Sequence, residues 1–235
     1  MKKYIFLFLF LNGAILGFGQ KNDRNSLDFP NLRDFSRVSI NIAAEVYIRQ
    51  ADSFRCRMEG NSDYLEETKA TVKDGILTIR RVEHANWLNG VQRLVIYIDA
   101  PSYEAIDFSG AGSIVSKNKL TGNKLHLEVS GAGSAKLQDV DYQHIDVDLS
   151  GVGNIEIGGK TVSSTMEMSG TGNIDAFDLL ADSVRCETSG VGNINCFAST
   201  DLNANVSGIG GIRYKGTPKN LHKSVSGIGK VMNRN

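Results

Sequence analysis

The chain of 235 residues has one tryptophan, three cysteines and four histidines, and its 26 basic side chains are balanced by 26 acidic ones. A formal charge of 0 gives no basic field for nucleic acid or anionic lipid. Cys56, Cys186 and Cys196 do not have zinc-site spacing. His84, His126, His144 and His222 form no metal spacing either, and no Ser–His–Asp constellation or phosphate-binding loop stands out. The lone Trp87 sits in a loop over 83–90 and is a candidate ligand contact, but one tryptophan makes a poor aromatic-lined groove. Beyond the first 19 residues no apolar run approaches the ~20 residues that a membrane-spanning helix needs.

One phrase is abundant. SGxG returns seven times, starting at Ser109, Ser130, Ser150, Ser169, Ser189, Ser207 and Ser226, at gaps of 21, 20, 19, 20, 18 and 19 residues. A fixed period marks a solenoid, in which each repeat buries its apolar side by stacking on its neighbours. Around each phrase the apolar positions alternate. Phe108, Val129, Leu149, Met168, Thr188, Val206 and Val225 stand one before the serine, and Ile114, Ala135, Ile155, Ile174, Ile194, Ile212 and Val231 stand five after. A period of two is that of a strand with one buried face. About twenty residues per turn is too short for a strand–helix–strand unit. The reading is an all-β, single-stranded parallel β-helix, with coils about 4.8 Å apart. The usual hand of strand crossovers favours a right-handed coil. An antiparallel meander with a twenty-residue hairpin period is the alternative.

The glycines of the phrases serve as corners. They are Gly110 and Gly112, Gly131 and Gly133, Gly151 and Gly153, Gly170 and Gly172, Gly190 and Gly192, Gly208 and Gly210, and Gly227 and Gly229. There the backbone needs positive φ or must pass close to the next coil.

The rest of the chain divides as follows. Residues 1–19 read as a secretory signal: Lys2 and Lys3, an apolar stretch from Tyr4 to Leu11, and Gly17-Phe18-Gly19 before Gln20. Its removal would take away two lysines and no acid, giving a formal charge of −2. Residues 20–34 read as a loose leader. Residues 35–235 read as one β-helix domain, with irregular N-terminal coils over 35–108 and the repeats over 109–231. Within 35–108, Lys73-Asp74-Gly75 signals a tight turn between two strands. The C-terminus stops soon after the last phrase, with no translocating barrel expected.

The tandem Ser-Gly-Val-Gly-Asn-Ile phrases, the Ile40-Asn41-Ile42 and Val46-Tyr47-Ile48 segments and the strand Lys73-Asp74-Gly75-Ile76-Leu77-Thr78-Ile79 resemble a Bacteroidetes family. It is the putative auto-transporter adhesin, head GIN domain family, and the resemblance covers about residues 35–231. It implies a pectin-lyase-like β-helix, a secreted or surface location and an adhesion role, with no catalytic residues attached.

Two residues before successive phrases stand Asp107, Glu128, Asp148, Glu167 and Glu187, then Asn205 and Ser224. Stacked coils would line up the five carboxylates, and like charges opposite one another in a sheet are destabilising. Two outcomes are open. Nearby bases such as Arg185 and Lys136 screen the row, or a hard cation such as Ca²⁺ binds it. No other cofactor is expected. Asn154, Asn173 and Asn193 make a second row, read as structural. Cys186 and Cys196 both fall on the inward register, so buried inert thiols and a bond across the coil both stay open. An odd count in an exported chain leaves at least one thiol free unless chains pair.

The functional expectation is an exported, non-enzymatic binding or adhesion module. Its partner would be a surface polysaccharide or a protein, without nucleic acid and without a transmembrane segment once the signal is removed. A polysaccharide-active enzyme on the same scaffold and an envelope scaffold protein are the alternatives.

Overall fold

The structure, a computed structural model, describes residues 15–16, 20–22, 25–82 and 93–235. Trp87, His84 and most of the expected signal segment lie outside the described residues. In chain order the elements are β1 (Ile15–Leu16), β2 (Gln20–Asn22), β3 (Ser26–Asp28), β4 (Arg37–Asn41), β5 (Ala44–Gln50), β6 (Arg55–Gly60), α1 (Ser62–Glu66), β7 (Thr68–Lys73), β8 (Ile76–Arg81) and β9 (Leu94–Ala100). The repeats follow as β10 (Ala105–Phe108), β11 (Ala111–Ser116), β12 (Leu120–Val129), β13 (Ala132–Leu149), β14 (Val152–Met168), β15 (Thr171–Thr188), β16 (Val191–Val206), β17 (Ile209–Lys215), β18 (Asn220–Val225) and β19 (Ile228–Asn233).

From β10 onward every pairing is parallel and links positions one coil apart, as Asp107↔Glu128, Glu167↔Glu187 and Ile209↔Ile228 illustrate. This is a β-solenoid of about six turns with parallel bridges about 20 residues apart. It excludes the antiparallel meander. In the four central repeats, β13 to β16, the stretch between one phrase and the next is a continuous strand whose register slips, as between Leu137 and Val140 or Glu156 and Gly159, while the first and last repeats are each split into two strands. The inward register is buried as the alternation requires. Ile155, Ile174, Ile194 and Ile212 stack through the core with almost no exposure.

The corners show why glycine is required. A Cβ on Gly170 would lie 2.0 Å from the carbonyl oxygen of Gly151 in the previous coil. Gly172 has φ of 144°, and a Cβ there would lie 1.7 Å from the Gly153 oxygen. The first glycine is a close approach of coil on coil, and the second combines that with backbone that L-residues rarely adopt.

The N-terminal third does not stack in chain order. β4 pairs in parallel with both β8 and β10, and β5 with both β9 and β11. The coil made by β8 and β9 therefore lies outside the coil made by β4 and β5, although it comes later in the chain. To get there the chain reverses. β6 runs antiparallel to β9, and β7 runs antiparallel to β8 through Asp74 and Gly75, both at positive φ. β3 adds to β6, β2 to β3 and β1 to β7, all antiparallel. These strands extend the sheets past the outermost N-terminal coil. The stretch 20–34, expected to be loose, contributes β2 and β3 and buries Phe29 and Leu32. Removal of residues 1–19 would take away β1 and leave the β2–β3 pair.

At the other end, β18 and β19 form the outermost coil. Leu221 and Val225 are exposed there, and Lys223 occupies the register that Ala204 fills one coil earlier. No helix among the described residues is long and apolar enough to cross a membrane.

Candidate functional site: the corner face and its ladders

Because every coil repeats the same corner, each outward position becomes a ladder along the solenoid. Five residue types run side by side over the face that contains the phrases.

The acidic ladder forms as the spacing implies, with Asp107↔Glu128, Glu128↔Asp148, Asp148↔Glu167 and Glu167↔Glu187 as direct neighbours and Asn205 next. Burial pushes the Asp107 and Asp148 carboxyls above the usual aspartate range. The nearby Glu128 adds to the rise at Asp107, and Glu167, Glu128 and Asp146 add to it at Asp148, while His126 opposes it at both. Arg185 pairs with Glu187 at the end of the ladder. Lys136, the other expected counter-charge, reaches Glu156 at 2.9 Å instead and leaves the row alone. The physical reason is register: Lys136 and Glu156 are direct neighbours on a different ladder.

The counter-group that sequence reasoning passed over is His126. Its Nδ1 lies 3.5 Å from Asp148 Oδ2 and its Nε2 3.8 Å from Glu128 Oε2. Asp107, His126 and Glu128 each offer one ligand atom, and the three atoms lie within 4.8 Å of one another. An imidazole beside two carboxylates is a donor set that a divalent cation accepts. No H-x-x-H spacing announces it. The available signal was that His126 precedes Glu128 by two residues on the same strand and so points to the same side.

Across the corner the serines and the residues between the glycines follow. The latter are Ala111, Ala132, Val152, Thr171, Val191, Ile209 and Ile228, in register from coil to coil. They face solvent, with Val191 at 48%, Ile209 at 56% and Ile228 at 78% exposure. Those from Val152 to Ile228, with the serines from Ser150 to Ser207 and the first glycines of the phrases from Gly151 to Gly227, line an open groove of about 650 Å³. The carboxylates of Asp148, Glu167 and Glu187 border a second hollow of about 250 Å³ on the far side of the serines. Beyond the aliphatic ladder runs the Asn ladder. Asn173 Nδ2 donates to Asn154 Oδ1 at 3.1 Å, and Asn193 Nδ2 donates to Asn173 Oδ1 at 3.2 Å. These amides bond along the stack, as a structural role requires. The aliphatic ladder was not singled out by sequence reasoning, although six of its seven members are apolar at a turn position that cannot point inward.

Trp87, the candidate ligand contact, lies outside the described residues. The three cysteines are buried and unbonded. Burial pushes the Cys56 thiol up to about 12, which makes it a poor nucleophile at neutral pH.

Comparison with known proteins adds the family. A crystal structure of a putative adhesin from Bacteroides fragilis superposes with a TM-score of 0.86 at 27% identity, covering 89% of this chain and 96% of that one. A putative lipid binding protein from Parabacteroides distasonis gives 0.69 at 20% identity over 91% and 98% of the two chains, and a putative adhesin from the same organism gives 0.67 at 22% over 89% and 96%. At such identities these last two share the fold. No curated protein matches the chain. The family described as putative auto-transporter adhesin, head GIN domain, matches residues 34–218, most of the solenoid, and the chain belongs to that family.

Proposed function

We propose that this protein is an exported, non-enzymatic binding module that presents its corner face to a surface polysaccharide or a protein on a cell surface. The observation that carries the reading is the exposed aliphatic ladder that runs from Val191 through Ile209 to Ile228, with Val152 beyond Thr171. Contiguous apolar side chains rimmed by polar ones mark interaction surfaces. Here the rim is a row of hydroxyls on one side and, beside Val152, Thr171 and Val191, a row of amides on the other. The adhesin family points the same way. Export through a signal ending at Gly19, and a divalent cation held by Asp107, His126 and Glu128, belong to the same proposal.

The experiment is a binding screen of the chain starting at Gln20 against glycans, surface polymers and intact cells, beside an Ile209→Asn/Ile228→Asn variant. The expected result is a saturable ligand whose affinity falls at least tenfold in the variant at unchanged Tm. Equal binding by both proteins would remove the corner face from the function.

A second reading, a polysaccharide-active enzyme, draws on the Asp107–His126–Glu128 cluster, which brings carboxylates and a titratable base together. Lyase and hydrolase assays on the same polymers test it. Product formation that is lost in His126→Ala would favour it.

A further inference from the structure

Cys186 and Cys196 belong to one coil and flank one corner. Cys186 is three residues before Ser189 on β15, and Cys196 follows the same phrase on β16. Both side chains point inward and have no solvent exposure. Three of their four neighbours in the stack are small or flexible. Met166 and Ala204 lie either side of Cys186, and Ala176 and Tyr214 either side of Cys196. The chain bends between the two strands, so both side chains point into the same core from either side of one corner, and the neighbouring Cys196 side chain, together with burial, pushes the Cys186 thiol well above its ordinary value. Cys56 is remote from both, on β6 at the N-terminal end, where its register partner is Ile98.

We infer that Cys186 and Cys196 are the two halves of an intracoil disulfide, formed as the solenoid folds in an oxidising compartment, with Cys56 left as the free thiol. An odd cysteine count then resolves without any pairing between chains. The chemistry needs an external disulfide as oxidant. One cysteine, as its thiolate, attacks that disulfide and expels one thiol, leaving a mixed disulfide. The second thiolate attacks the protein sulfur of the mixed disulfide, forms the protein S–S bond and expels the second thiol. Two thiol protons leave the protein, and the external disulfide is reduced by two electrons. The attack must come before the coil closes, because a thiol with no solvent exposure cannot meet an oxidant. Once closed, the bond is shielded from reductant by the same packing. It would tie β15 to β16 directly beneath the corner groove, and so hold two of the strands that carry the aliphatic ladder.

The test refolds the full chain from denaturant with a reduced and oxidised glutathione mixture, and in parallel with excess dithiothreitol. Thiols are then counted in denaturant and the digested chain is mapped. The expected result in glutathione is one free thiol, at Cys56, and one cross-linked peptide joining Cys186 to Cys196. The Tm of that product should exceed that of the dithiothreitol product. Cys186→Ala and Cys196→Ala should each show two thiols and a Tm that no longer depends on the refolding mixture. Three free thiols, a glutathione adduct held at either position, or a bond that includes Cys56 would overturn the inference. Export and surface binding do not enter this measurement, so its failure leaves the proposed function standing.

Discussion

The ammonium group of Lys223 lies 4.9 Å from the centroid of the Tyr214 ring. Lys223 stands where earlier coils place Ile106, Leu127, Val147, Met166, Cys186 and Ala204, in the most buried column of the solenoid. In the outermost coil that column would otherwise end in an apolar side chain beside an unpaired strand edge. A charge at an edge position is a known guard against edge-to-edge association, and here its ammonium group lies over an aromatic face.

Lys223→Leu should therefore associate. The expected outcome is a concentration-dependent increase in mass by sedimentation, absent in the parent protein under the same conditions. A variant with unchanged mass would show that the lysine does not guard this end.

Ile174 lies in the buried isoleucine column between Ile155 and Ile194. Ile174→Ala should lower the free energy of unfolding by about 2–5 kcal/mol, the usual cost of truncating a large buried side chain. Denaturant unfolding measures it. A loss below about 0.5 kcal/mol would mean that the column is not the core.

Gly172 and Thr171 are adjacent, yet their environments are opposite. Gly172→Val would combine a φ of 144° with a Cβ inside the contact distance of the Gly153 oxygen, whereas Thr171 faces solvent. Gly172→Val should cause a large drop in Tm or loss of soluble protein. Thr171→Val should leave Tm within a degree or two, as surface substitutions do. Similar melting curves for the two variants would contradict the close approach of coil on coil.

The carboxylate ladder makes a pH prediction with a definite sign. Asp107 and Asp148 hold their protons more tightly in the folded state than in the unfolded chain, with burial as the main cause. The stability linked to them is fully present below the ordinary aspartate value of 3.8 and is lost as pH rises through their folded-state values. Asp148→Asn removes that loss. Its Tm relative to the parent should be higher at about pH 7 than at about pH 3. A constant difference across that range would mean that Asp148 titrates normally.

A divalent cation would relieve the same ladder. Millimolar Ca²⁺ should raise Tm modestly, in the concentration range of extracellular sites, and the rise should vanish in Asp107→Asn/Glu128→Gln. If Ca²⁺ leaves the melting temperature of the parent unchanged, protein groups such as His126, Arg37 and Arg185 supply the compensation without a metal.

The repeats were legible because a twenty-residue period and a two-residue alternation coincide. Given those, the columns through Ile174 and the ladder from Asp107 to Glu187 follow by counting. The N-terminal end was not legible in the same way. Its strands have the right alternation, as Val38, Ile40 and Ile42 show, but alternation carries no information on partner or direction. Nothing local to β8 and β9 says that they pair outside β4 and β5, or that β6 runs against β9. His126 was missed for a related reason. Its partners come from the neighbouring coil as much as from its own strand, and ladders of unlike residues do not declare themselves as a motif. The aliphatic ladder was present in the phrase from the start, but a single residue between two corner glycines shows no alternation that would mark it as part of a face.

The reversed strands at the N-terminal end also decide how the rod responds to force. The hydrogen bonds between coils point along the axis, so a pull on the last coil loads only the row that joins it to the one below. Coils would then peel off singly from the Lys223 end, each releasing roughly 70 Å of extended chain, while the antiparallel strands beyond β8 and β9 stay out of the load path until the last parallel row has opened. A solenoid pulled this way gives length in steps.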